Sequence, residues 1–76
     1  MDTVTFKRIT PHESRIYADG EHVGDVYRQA DILTPGRVFY VVHLVEDPRG
    51  PQRVHDRSRI REVARRRLAS HPLWPQ

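Results

Sequence analysis

The sequence predicts an α+β domain: an antiparallel β-meander of four to five strands packed on one C-terminal, amphipathic, arginine-rich helix. Three observations carry this reading. Stretches of β-forming residues separated by turn signals fill residues 3–55. The run DRSRIREVARRRLASH, Asp56 to His71, then places Ile60, Val63, Ala64 and Leu68 at i, i+3, i+4 and i+8, on one face of a helix. Finally, a 76-residue chain buries only about 60% of its unfolded surface, so its core is thin and suits one sheet under one helix. The expected organisation is a single domain over 1–76, with the sheet over about 3–55, the helix over about 57–70 and an apolar tail over 72–76.

Each element follows from local chemistry. Thr3 to Ile9 (TVTFKRI) alternates, with Val4 and Phe6 on one side and Thr3, Thr5 and Lys7 on the other. Pro11 ends that strand. Ser14 to Ala18 runs into Asp19-Gly20, a two-residue hairpin signal, because the tight turn needs positive φ. In the return strand, His22 to Gln29, strict alternation would send Val23 and Val26 to opposite faces, and a bulge at Gly24 restores register. Ala30 to Gly36 is a loop closed by Pro35-Gly36. Arg37 to Val45 is apolar on both faces: Val38, Tyr40, Val42 and Leu44 on one, Phe39, Val41 and Val45 with His43 on the other. Asp47-Pro48-Arg49-Gly50 has the composition of a type I turn. Gln52 to His55 follows, placed at an edge by Pro51. Asp56 or Ser58 caps the helix and Pro72 ends it. The expected core sets Ile60, Val63 and Leu68 over Tyr40, Val42, Leu44 and Val54. The second apolar face of Arg37 to Val45 needs another cover: a second copy in a homodimer, a partner, or the tail carrying Leu73 and Trp74.

Charge is polarised along the chain. Residues 1–48 hold five basic and eight acidic residues, net −3, whereas residues 49–76 hold eight arginines and two acids, net +6. A basic face opposite an acidic one is expected, and nucleic acid or an acidic protein surface are the partners it suits. The candidate contact residues are Arg57, Arg59, Arg61, Arg65 and Arg66. Of the adjacent Arg65, Arg66 and Arg67, at least one must lie against the sheet boundary, packing its stem there. The candidates for a protein interface are Phe39, Val41, Val45 and Trp74. Tyr17, Tyr27, Phe39 and Tyr40 could form a base-stacking platform, although core packing is the commoner role of strand aromatics.

Several classes are set aside. Without cysteine there is neither a disulfide nor a thiolate metal site. The longest apolar run, Val38 to Val45, contains His43 and is too short for a signal peptide or a membrane span, so no membrane partner and a cytoplasmic location are expected. A bulge at Gly50 would bring His43 opposite His55 with His22 one strand away, but no third ligand or ligand-spaced motif accompanies them, and no metal or cofactor is assigned. Ser14, Ser58 and Ser70 sit in no nucleophile motif and the glycines form no phosphate-cradling loop, so no catalysis is expected.

Strands followed by a basic helix, FYVVHL and then RSRIREVARRRL, are similar to the second half of a double-stranded RNA-binding domain. That family opens with a helix where this chain has strands, and its final helix begins with a lysine-rich signature that is absent here. Arm-type DNA-binding domains of phage integrases also combine three strands with a helix, but they read DNA with a sheet, and this sheet segment is net acidic. No family is assigned. The expectation is a small non-enzymatic module that binds nucleic acid or nucleoprotein through its basic C-terminal helix. The alternative is a small inhibitor or adaptor, of the kind phages and plasmids direct against host defence or restriction complexes, working by protein–protein contacts.

Overall fold

The computed structural model describes residues 3–74. Its elements are β1 (Val4–Thr10), β2 (Glu13–Ala18), β3 (Glu21–Ala30), β4 (Val38–Leu44) and β5 (Gln52–Val54), then one 3-10 turn (Arg57–Arg59) running into helix α1 (Ile60–Ala69). The strands form one antiparallel sheet in the order β1-β2-β3-β4-β5, the meander expected of an α+β chain.

The turns follow the residue chemistry. Asp19 (φ 51°) and Gly20 (φ 87°) both adopt left-handed backbone between the paired residues Ala18 and Glu21, the geometry of a tight hairpin that preserves strand twist. In β3, Ile16 pairs with Gly24 and Tyr17 with His22, so Val23 is the extra residue of a bulge. Val23 and Val26 thereby both join the core. Gly24 is required by space: a Cβ there would lie 2.6 Å from the His43 carbonyl oxygen and 2.9 Å from a Leu44 methyl. Gly50 N–H donates to the Asp47 carbonyl, closing the expected turn.

The core lies between one sheet face and the helix. Val4, Ile16, Val26, Val42, Leu44 and Val54 meet Val63, Ala64 and Leu68, with Phe6, Tyr40, Ile60 and Trp74 packed around them. Asp56 starts the helical segment by accepting the Ser58 amide and hydroxyl, which hold its carboxyl below its usual pKa. The helical turns end at Ala69, three residues before Pro72, where Ser70 Oγ donates to the Arg66 carbonyl.

Three expectations are corrected. The β4–β5 register sets Val41 opposite Arg53, so His43 does not face His55. The connection from Val45 to Pro51 is wider than a bulged tight turn, because Glu46 takes left-handed backbone (φ 56°) and Asp47 turns inward. Second, the described part of the tail, Pro72 to Trp74, folds back on the helix side and not over the opposite sheet face; Pro75 and Gln76 lie outside the described residues. His71, 1% exposed, donates through Nε2 to the Val45 carbonyl and accepts the Leu73 amide at Nδ1, and its ring stacks on Trp74 at 3.7 Å. The accepted amide proton requires Nδ1 to be unprotonated, which fixes this tautomer. Third, Phe39 is no exposed strip. It is 8% exposed, with the Arg53 guanidinium 4.3 Å over its ring and His55 beside it.

A buried carboxylate fastens the helix end to the β4–β5 turn. Asp47, its side chain fully buried, accepts the Arg49 amide and Nε at 2.9 Å and Arg49 Nη2 at 2.8 Å. Arg67 Nη2 donates to Asp47 at 3.1 Å and to the Gly50 carbonyl at 2.6 Å, and Nη1 donates to Gln52. Arg49 continues to Ser70 Oγ and the Arg67 carbonyl. The Arg49 hydrogen bonds, reinforced by Arg67, hold the Asp47 carboxyl far below its ordinary range despite burial.

Two measurements check this arrangement. Leu68→Ala is expected to cost about 2–5 kcal/mol in urea unfolding, because it empties a site beneath the helix; a loss below about 0.5 kcal/mol, the level of an ordinary surface change, would place Leu68 outside the core. Asp47→Asn tests the carboxylate. Its depressed folded pKa makes the unfolded chain the better proton acceptor, so its contribution is full above the ordinary value of 3.8 and is lost as pH falls below it. The stability gap between parent and Asp47→Asn should narrow as pH drops through that region. A gap independent of pH would mean that the carboxylate is not ion-paired.

Candidate functional site

The helix is shorter than the sheet it lies on. Ten residues of α-helix span roughly 15 Å, while strands of seven to ten residues run roughly 23–33 Å. Asp47 and Arg67 hold its C-terminal end at one side of the sheet, so the other end of the inward face stays uncovered. There the inward alternation changes character. Val4 and Phe6 are followed on the same face by Arg8, Ala18 and Ile16 by Ser14, and Val26 by Arg28. Arg28 pairs with Tyr40 across β3 and β4, and its amide bonds the His12 carbonyl of the β1–β2 turn.

These positions and the start of the helix enclose an open groove of about 560 Å³. Arg8, Arg28, Arg57 and Arg61 line it, over a floor that includes Phe6 and Tyr40. Glu13 is the one carboxylate in its lining among the described residues. Among the described residues, no carboxylate pairs with Arg8, Arg28 or Arg57. Four guanidiniums facing one acid in a concave, part-apolar surface create a field that concentrates anions. The planar forks also suit the oxygens of phosphate or carboxylate, to which they can donate in pairs.

The helix arginines expected to act as one face separate into distinct surroundings. Arg57 and Arg61 reach the groove. Arg61 is also structural: Nη1 donates to the Val4 carbonyl at 2.6 Å and the guanidinium lies 5.1 Å over Phe6, tying the helix to edge strand β1. Arg59 and Arg66 straddle Glu62 at 3.5 and 2.8 Å along a smaller hollow bordered by Arg53 and His55. Arg65 is exposed. Arg67 is the arginine that turns to the sheet boundary, where it meets Asp47.

The interface candidates also disperse. Val41 is half-buried and Val45 borderline exposed on the strand and its end, Phe39 lies under Arg53, and Trp74 packs against the helix-side core. The contiguous apolar patch that argued for a second copy is therefore interrupted by charged and imidazole groups. On this open face His22 bonds Asp25 at 3.1 Å, and Asp25 pairs across the sheet with His43. Among the described residues no group of three His, Asp or Glu side chains is placed to hold a metal ion. No helix among the described residues is long and apolar enough to cross a membrane.

Arg8 and Arg28 are the site residues that the sequence reading passed over. Their signal lies in the parity of the strands: each continues an apolar inward row, where an unpaired guanidinium cannot sit beneath a helix without a heavy desolvation cost. No protein-family model, curated protein or solved structure matches this chain.

Proposed function

We propose that the chain is a non-enzymatic nucleic-acid-binding module, and that it takes the phosphate backbone in the groove between the start of the helix and the uncovered end of the sheet. The observation that carries this reading is the convergence of Arg8 from β1, Arg28 from β3, Arg57 from the 3-10 turn and Arg61 from α1 on one groove with an aromatic floor. Neutralised phosphates release counterions, and this term supplies most sequence-independent affinity. Phe6 and Tyr40 add flat apolar surface beside the phosphate positions. This relocates the working surface from the outer helix face to one helix end, and brings strand arginines into it.

The test is a titration of a labelled oligonucleotide at increasing salt. With four guanidiniums engaged on a single strand, the slope of log K against log salt is expected near about −3. Arg8→Glu combined with Arg57→Glu should abolish detectable binding while leaving the melting temperature nearly unchanged, since neither side chain has a carboxylate partner among the described residues. Arg61 is unsuitable for this test because it holds β1. Parent-like binding by the double variant would remove the groove as the binding surface.

A further inference from the structure

The β3–β4 connection carries an exposure that the fold does not need. Ile32 is 93% and Leu33 89% exposed, side by side at the tip of the hairpin. The loop is nevertheless built rather than slack. Asp31 Oδ1 accepts the Leu33 amide at 2.9 Å, the Asp31 carbonyl accepts the Thr34 amide, the Thr34 carbonyl accepts the Arg37 amide, and the Asp31 amide bonds the Arg37 carbonyl at 2.9 Å. These bonds hold the backbone that presents two large aliphatic side chains to water, where a turn would ordinarily carry polar residues.

Position relates this tip to the groove. Arg28 lines the groove, and two paired rows, Gln29–Phe39 and Ala30–Val38, separate it from the loop. Ile32 follows Arg28 by four residues, so at about 3.3 Å per strand residue the tip stands roughly 13 Å beyond it, about four nucleotides at a stacked strand's spacing of roughly 3.4 Å. The aliphatic pair therefore leads the same end of the molecule that carries the guanidiniums, with Arg37 at the base of the loop. A partner that meets both features must offer phosphates to the groove and an apolar slot a short distance further along.

We infer that Ile32 and Leu33 form a wedge that enters between adjacent bases of a single-stranded nucleic acid whose backbone lies in the Arg8–Arg28–Arg57 groove. This rests on the groove reading and narrows it to a substrate class. Apolar side chains inserted at a base step replace base–base stacking with base–aliphatic contact. Opening a step costs least where bases are already unpaired, so the wedge favours a single strand over an intact duplex. The polar loop backbone stays outside the stack, held by the Asp31 and Thr34 bonds.

The experiment uses the full chain and a single-stranded oligonucleotide containing 2-aminopurine, whose fluorescence rises on unstacking. It compares the parent with Ile32→Ser/Leu33→Ser, after melting curves establish that the variant is folded. Parent binding should raise the fluorescence and favour the single strand over its duplex. The variant should keep the salt slope of the parent, lose the fluorescence rise and bind about tenfold more weakly, ~1.4 kcal/mol. Salt-dependent parent binding without a fluorescence rise, or a variant indistinguishable from the parent, overturns the wedge and leaves the groove intact. A parent that binds no oligonucleotide at any salt overturns the groove and the wedge together. Loss in the variant of binding to anionic phospholipid vesicles, with oligonucleotide binding unchanged, would assign the tip to a lipid surface and overturn the inference.

Discussion

The buried Asp47 carboxylate determines where the helix can lie. Its oxygens accept from Arg49 on the turn and from Arg67 on the helix, and Arg49 adds bonds to the helix end at Ser70 and the Arg67 carbonyl. Burying a carboxylate beside two guanidiniums is costly unless nearly every lone pair is used, and here both oxygens are occupied. Removing one partner would leave an uncompensated charge under the helix. The cluster therefore acts as a positional lock: the apolar stripe supplies most of the burial, and the ions decide which end of the sheet receives it.

The groove is the consequence of that placement. The helix cannot both reach Asp47 and cover the far ends of β1 and β3, so those ends are free to carry arginine on the inward face. Arg61, bonded to the Val4 carbonyl and stacked over Phe6, holds the border between the covered and uncovered parts. Glu62 draws Arg59 and Arg66 to the opposite side of the helix. A helix that reads as uniformly basic thus presents its charge in separate directions, and the strongest convergence occurs where strand arginines join it.

Much of the fold was legible because local chemistry and hydrophobic period agreed. Asp19-Gly20 specified its turn, Val23 and Val26 required the bulge beside Gly24, and the Ile60–Val63–Ala64–Leu68 stripe specified the buried helix face. The β4–β5 register was not legible, since it depended on Asp47 finding two arginines distant from it in sequence or across the turn. An acid in a turn normally reads as a turn residue, and nothing local marked this one as buried. His71 was hidden for the same reason: its role comes from the Val45 carbonyl and the Leu73 amide. The helix pattern grouped Arg57, Arg59, Arg61, Arg65 and Arg66 as one basic set and said nothing of the partner each would find. Arg8 and Arg28 stand in the sequence as charged residues that keep the parity of rows that begin apolar, a signal that gains meaning only once the helix is known to stop short.

The central claim is that the uncovered inward end of the sheet is the binding surface. Backbone amide shifts of the 15N-labelled chain during titration with a short single-stranded oligonucleotide test it most directly. Shifts concentrated at Arg8, Ser14, Arg28, Arg57 and Ser58, with Val41, His43 and Arg53 on the opposite face unmoved, are the result this account predicts. Shifts confined to Val41, His43 and Arg53, or to Arg59 and Arg66 along the smaller hollow, would contradict it.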